Sequence, residues 1–209
     1  MSKKKRFHHA LPAGWWDMPY DTFLSERRKL MGEVVRAAWK KLRGGVSESE
    51  AASPTAAELI ASGETEGVEF KSTLRTNLHT GQIDEKMHLA VLKTLAAFLN
   101  AGGGTLLIGV ADDGTIVGLN ADGFANEDKM SLHLVNLIRD RIGELFLPYI
   151  HPEFVDQDGG RVLSVRCERG PKPAFVKDGA LQRFFVRGAN ATAELTGHSM
   201  TDYIAHRHK

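Results

Sequence analysis

Apolar residues return every three or four positions along some stretches of this chain and every second position along others. After Asp21, a residue suited to cap a helix, Phe23, Leu24, Leu30, Met31, Val34, Val35, Ala38, Trp39 and Leu42 keep helical spacing until Gly44-Gly45. Residues 46–54, rich in Ser, Glu and Ala and closed by Pro54, read as a linker. Thr55-Ala56-Ala57-Glu58 has the pattern of a capping box, opening a short helix that Gly63 ends. Alternation over 68–73 predicts a strand. An amphipathic helix begins at Asp84 or Glu85, carries Met87, Val91, Leu92, Leu95, Phe98 and Leu99, and closes at Asn100-Ala101-Gly102. A buried strand follows over 105–110, then a turn at Asp112-Asp113-Gly114 into a strand over 116–119. A further helix is predicted over 127–146, then strand pairs near 152–156 and 161–168 and near 173–177 and 181–187, and a terminal helix near 198–207. This succession predicts a mixed α/β (α+β) fold: one mixed β-sheet packed by helices over 51–209, preceded by a helical extension and linker over 1–50.

Composition adds a division of charge. Residues 1–43 carry 11 Lys and Arg against four acids, whereas the remaining residues carry 16 against 22. A basic N-terminal module, with Lys40 and Lys41 on its helix, suits a phosphate backbone, and a solvated helix face is the plainer alternative. The single cysteine, Cys167, excludes an internal disulfide and suits a reducing compartment. Lys3-Lys4-Lys5-Arg6 is not followed by the apolar segment of a secretory signal, and runs such as 106–110 are too short to span a bilayer. A cytoplasmic protein without membrane association is expected.

The candidate chemistry begins on the strand over 68–73. Side chains alternate there, so Glu69 and Lys71 share one face while Val68 and Phe70 point to the other. Glu-x-Lys is a spacing used by metal-dependent nucleases, where the carboxylate holds a divalent cation and the ammonium stabilises charge at phosphorus. Glu64 stands at the strand entrance and Asp112 follows the strand over 105–110; the four side chains converge if the two strands are neighbours. Carboxylate oxygens suit Mg²⁺ or Mn²⁺. A solvated strand face of alternating charge is the plain alternative. Arg183, Phe185 and Arg187 also share a strand face, which either grips phosphate or forms a salt-bridged sheet surface. Gly102-Gly103-Gly104 lacks the Gly-Lys-Ser/Thr ending of a P-loop and reads as a helix stop permitting close packing. His88 and His133 are expected on helix surfaces, and no histidine stands at zinc-ligand spacing from Cys167.

Several blocks together resemble the Schlafen-type AlbA-like domain over about 55–205: Glu64 to Lys71, Leu95-Ala96-Ala97-Phe98-Leu99-Asn100, Gly103 to Val110, Asp112-Asp113-Gly114, Ile116-Val117-Gly118-Leu119, Pro173-Ala174-Phe175 and Phe184-Phe185-Val186-Arg187-Gly188. The resemblance implies a nucleic-acid-acting domain. By analogy with vertebrate relatives it implies a divalent-metal-dependent endoribonuclease acting on tRNA or rRNA, in defence or stress. By position, Glu64, Glu69 and Asp112 would hold the metal and act with Lys71. Arg183, Arg187, Lys40 and Lys41 are candidates for nucleic-acid binding, and RNA is expected more than DNA. Ala111 stands where relatives often carry another aspartate. Those relatives clamp substrate between two lobes, so a homodimer is expected of this single lobe. Bacterial members described only as DNA- or ATP-binding modules supply the alternative, a non-catalytic DNA- or RNA-binding regulator. A third possibility is a dimeric interaction domain using the N-terminal helix to bind partners.

Overall fold

The computed structural model describes Thr22 and residues 54–189 and 191–207. Contacts divide the chain after Ser53, and the architecture below is that of the unit beginning at Pro54. Apart from Thr22, the predicted helix after Asp21, with Lys40 and Lys41, lies outside the described residues.

Helix α1 (Ala56–Ser62) starts on the expected capping box: the Thr55 hydroxyl accepts the Glu58 amide, and the Glu58 carboxylate accepts the Thr55 amide. Strand β1 (Val68–Lys71) leads through the hairpin β2 (Thr76–Asn77) and β3 (Gln82–Ile83) to helix α2 (Glu85–Asn100), capped by Asp84. Then come β4 (Gly104–Ile108), helix α3 (Glu127–Arg141), β5 (Ile150–Gln157), β6 (Gly160–Cys167), β7 (Phe175–Asp178), β8 (Leu181–Gly188), β9 (Ala191–Leu195) and helix α4 (Gly197–Arg207).

The mixed α/β class holds, but the strands divide into separate sheets. Order β1-β4-β6-β5 forms one mixed sheet, with β1 parallel to β4 and the other pairs antiparallel. Strands β7-β8-β9 form an antiparallel sheet of their own, and β2-β3 a two-stranded ribbon. The reason lies in α2, which is apolar on both sides. Val91, Leu95, Phe98 and Leu99 pack with Leu106, Ile108, Leu163 and Val165 of the four-stranded sheet and with Met130, Leu134 and Ile138 of α3. Leu92, Ala96 and Ala97 pack instead with Val176 and Phe185 of the three-stranded sheet. Apolar on opposite faces, α2 is buried between the two sheets. The far face of the four-stranded sheet, with Val68, Phe70, Leu107 and Val162, is covered by α1.

Other differences from the sequence expectation have local causes. The helix over 127–146 stops at Arg141, because Gly143 adopts a φ of 128° and the chain continues as a 3-10 turn, Glu144–Tyr149, containing Pro148. Strand β1 ends at Lys71 rather than 73. The amides of Leu74, Arg75 and Thr76 turn away to the buried carboxylate of Asp122. Residues 116–119 form a single bridge, Val110 to Ile116, in place of a strand. The glycine turn is a matter of space: a Cβ on Gly104 would stand 2.4 Å from the Phe98 ring, and one on Gly103 2.6 Å from the Cys167 carbonyl.

His88 departs from its expected surface position. It is 4% exposed, its Nε2 lies 2.9 Å from Nε2 of His133 across the α2–α3 contact, and its Nδ1 lies 3.0 Å from the Glu85 carboxylate. The tautomers that satisfy both contacts have His88 Nδ1–H donating to Glu85 and His133 Nε2–H donating to His88. Burial first, then His88 and Arg75, hold the His133 pKa below its ordinary value, while Asp122 and Glu85 oppose them less. The unfolded chain therefore takes up this proton at higher pH than the folded one. The expected result is a His133 contribution to stability that is complete above about pH 6.5 and lost as pH falls toward the lowered pKa. Urea denaturation at a series of pH values checks it; a His133→Gln variant with the same slope as the parent below that pH would refute it.

Candidate functional site

Strand β1 is an edge strand, paired with β4 on one side only. Its alternation sends Val68 and Phe70 toward α1, which leaves Glu69 and Lys71 on the side of α2 and the three-stranded sheet. There Glu69 is the centre of a chain of charge. Its Oε1 lies 2.7 Å from the Lys71 ammonium and its Oε2 lies 2.6 Å from Nη1 of Arg187. The Arg187 side chain is 1% exposed, and it also donates to the carbonyls of Thr65, Glu66 and Val68 and to the Thr192 hydroxyl. Arg187 thus fastens β8 to the approach of β1 and does not face solvent.

Lys71 is the more accessible cation. Its ammonium donates to Glu69 and, at 2.7 Å, to the Phe70 carbonyl. An ammonium has three donors, so one N–H is left over. Lys71 borders two clefts. One, of about 250 Å³, is lined by Glu69, Lys93, Thr94, Phe185, Thr192 and Glu194; the other, of about 340 Å³, includes Ser72, Thr73, Asn77, Leu78, His79 and Asp112.

The three acids stand apart in their roles. Glu64 accepts the Phe70 amide at 2.9 Å, supplying a partner to a backbone group on the open side of the edge strand. Glu69 is held between two cations. Asp112 is exposed, makes no hydrogen bond among the described residues, and lines the second cleft while Glu69 lines the first. Among the described residues no three His, Cys, Asp or Glu side chains gather as a metal-binding group. As placed, Glu64, Glu69 and Asp112 do not fit a shared cation.

Arg183 is also paired, with Asp178 at 2.8 Å and with both oxygens of Glu194. Its face is therefore a salt-bridged sheet surface. Asp113 is hairpin chemistry: its carboxylate accepts the Thr115 amide, which lowers its pKa. Burial pushes the Cys167 thiol up to about 12, so it supplies no thiolate nucleophile near neutral pH. Sequence reasoning passed over Asp122, whose setting in Asn120–Asp122 before Gly123 looks like an ordinary turn, and over His79 and Lys93, which carry no motif.

The sequence profile of the family described as Schlafen, AlbA_2 matches residues 64–196. The chain belongs to that family. Among solved structures it is similar to the DIP2311 protein of Corynebacterium diphtheriae, with 21% identity and a TM-score of 0.44 over 62% of this chain, and it spans 22% of that protein's chain. It is also similar to the N-terminal domain of a RecG-related protein of Nitrosomonas europaea, with 20% identity and a TM-score of 0.45, over 70% of this chain and 97% of that one. No curated protein matches it in sequence. No described helix is long and apolar enough to cross a membrane.

Proposed function

We propose that this domain binds nucleic acid, RNA in preference to DNA, along the open edge of β1, with Lys71 as its phosphate contact. The observation that carries this reading is the placement of Lys71: a half-buried ammonium, oriented by Glu69 and the Phe70 carbonyl, with one donor unused at the junction of two clefts. Orienting the group before binding lowers the ordering cost of contact. Family membership favours a nucleic-acid ligand over other phosphate-bearing ones.

A second reading, a Mg²⁺- or Mn²⁺-dependent endoribonuclease, is favoured by the retention of Glu64, Glu69 and Asp112 at the positions of the family motif. It requires Glu64 to leave the Phe70 amide, Glu69 to leave Lys71 and Arg187, and both to meet Asp112. Arg183 and Arg187 are engaged in ion pairs, which leaves Lys93, on the first cleft, as a candidate for a further phosphate contact; Lys40 and Lys41 stay candidates from outside the described residues. On this reading a homodimer would supply the second lobe of a clamp, and sedimentation of the full chain checks the dimer.

Fluorescence anisotropy with labelled tRNA tests the binding reading. The full chain should bind in EDTA, and Lys71→Ala should weaken binding and lower the slope of log K against log salt by about 0.7–0.9. Unchanged affinity and slope would overturn it. Incubation of tRNA and rRNA with Mg²⁺ or Mn²⁺ tests the second reading, which requires cleavage that disappears in EDTA and in Asp112→Asn. Binding without cleavage leaves a regulatory module.

A further inference from the structure

The β2–β3 hairpin joins a tightly tied root to a tip that packs on little. Its strands are two residues each, too short to persist alone in water. The root is nevertheless firmly held. The Asp122 carboxylate, 3% exposed as a residue, accepts the amides of Leu74, Arg75 and Thr76 at 2.7, 2.8 and 3.1 Å. The Thr73 hydroxyl donates to the Thr76 carbonyl at 2.5 Å, and the Asp84 amide donates to the Arg75 carbonyl at 2.8 Å. The Arg75 guanidinium lies 3.7 Å from the centre of the Phe124 ring. Asn77 orders the start of the tip, accepting the His79 amide at 3.0 Å and donating to Asp84 at 3.2 Å.

Beyond this root stand Leu78, 48% exposed, and His79, also exposed. Both line the cleft of about 340 Å³ that Lys71, Ser72, Asn77 and Asp112 border. That volume lies at the lower end of the range of about 300–1,000 Å³ typical of small-ligand sites. The lining combines an ammonium with a spare donor, an apolar and an imidazole surface, a side-chain amide and hydroxyl, and a carboxylate with no partner. A nucleotide presents the complementary set: an anionic phosphate, a flat face, and an edge of amino and carbonyl groups. Asp112 disfavours a second phosphate here, yet it can accept a hydrogen bond from a base edge. In a duplex the flat faces are stacked and closed to side chains, so this complementarity is available only to an unpaired nucleotide.

We propose that the hairpin tip is a base-recognition element, which receives one unpaired nucleobase against Leu78 and His79 while the adjoining phosphate takes the free N–H of Lys71. This rests on the reading that nucleic acid binds at Lys71 and specifies its class as single-stranded. Leu78 and His79 are exposed, so substituting them leaves the core intact.

Anisotropy in EDTA with a labelled ten-residue oligouridylate and with a ten-base-pair RNA duplex tests it. The oligouridylate should bind more tightly than the duplex. Leu78→Ser combined with His79→Ala should weaken oligouridylate binding by about tenfold, the scale of one lost stacked base, and duplex binding by less than about twofold. His79→Phe should retain the oligouridylate affinity, because it keeps a flat ring. Oligouridylate binding that is lost in Lys71→Ala but unaffected by the tip variants would overturn the hairpin's role alone. So would an equal loss on both probes, or a loss in His79→Phe as large as in the combined Leu78→Ser, His79→Ala variant. Binding of neither probe nor tRNA by the parent protein would overturn the nucleic-acid reading, and this inference with it.

Discussion

Arg187→Met is expected to destabilise the domain by about 3–5 kcal/mol, read from denaturant unfolding followed by circular dichroism. The magnitude follows from what the guanidinium holds. Its Nη1 lies 2.6 Å from Glu69, and its other donors reach carbonyls of Thr65 and Val68 at 2.7 and 3.2 Å and of Glu66 at 3.2 Å. Removing it leaves Glu69, whose side chain is 13% exposed, with Lys71 as its remaining cation, and takes a charged donor from three carbonyls. Burying a charge without its partner costs more than the pair contributes net. Adding Glu69→Gln to Arg187→Met should therefore recover part of the loss. Arg187→Lys should not restore it, because an ammonium has three donors where five distinct acceptors converge. A loss below about 1 kcal/mol in Arg187→Met, the scale of an exposed pair, would show that the junction of β8 with β1 is not held in this way.

A comparable loss is expected where α2 meets the three-stranded sheet. Asn100 is 0% exposed and ends α2. Its Nδ2 donates to the carbonyls of Ala174 and Phe185 at 2.7 and 2.9 Å, and its Oδ1 accepts the Ala174 amide at 2.7 Å. One side-chain amide thus satisfies two acceptors and a donor where the chain enters the three-stranded sheet. Asn100→Ala leaves those groups unpaired at about 1–3 kcal/mol each, and a total loss of about 3–5 kcal/mol is expected. Asn100→Asp should do no better, since a carboxylate can accept the Ala174 amide but sets a negative charge against two carbonyls. Equilibrium unfolding measures the energy, and amide exchange at Ala174 reports the site: faster exchange than in the parent is expected. An unchanged Ala174 exchange rate in Asn100→Ala would refute the bond.

Much of the local structure was legible in the chain because its signals are local. The capping box at Thr55 and Glu58, the cap at Asp84 and the helical spacing from Met87 to Leu99 each depend on residues a turn apart. The Glu-x-Lys alternation was equally legible, and it put Glu69 and Lys71 on one face as the strand period requires. What each of them touches was not. Arg187 lies 118 positions from Glu69 in the sequence, and no period or motif connects them. Its face on β8 admitted both a phosphate grip and a salt-bridged surface, and only packing against β1 distinguishes the two. The hairpin β2–β3 was invisible for a different reason: strands of two residues have no alternation to read. His88 was misplaced because its spacing on α2 does not reveal that α3 covers it.

By itself the sequence determined the helices and longer strands of residues 54–207, their order, the mixed α/β class and a set of charged residues carried by motifs of the family. These are short-range properties, set by caps, glycines and the periods of helix and strand. The tertiary structure decided that α2 lies between two sheets and that Glu69 sits between Arg187 and Lys71. It also decided that Glu64 serves the backbone of β1 and that Asp112 stands with the hairpin across a separate cleft. The physical reason is that a carboxylate's role depends on which cation or amide arrives beside it in space. For Glu69 and Asp122 those partners come from segments far along the chain, brought in by the burial of apolar faces that carry none of the chemistry themselves.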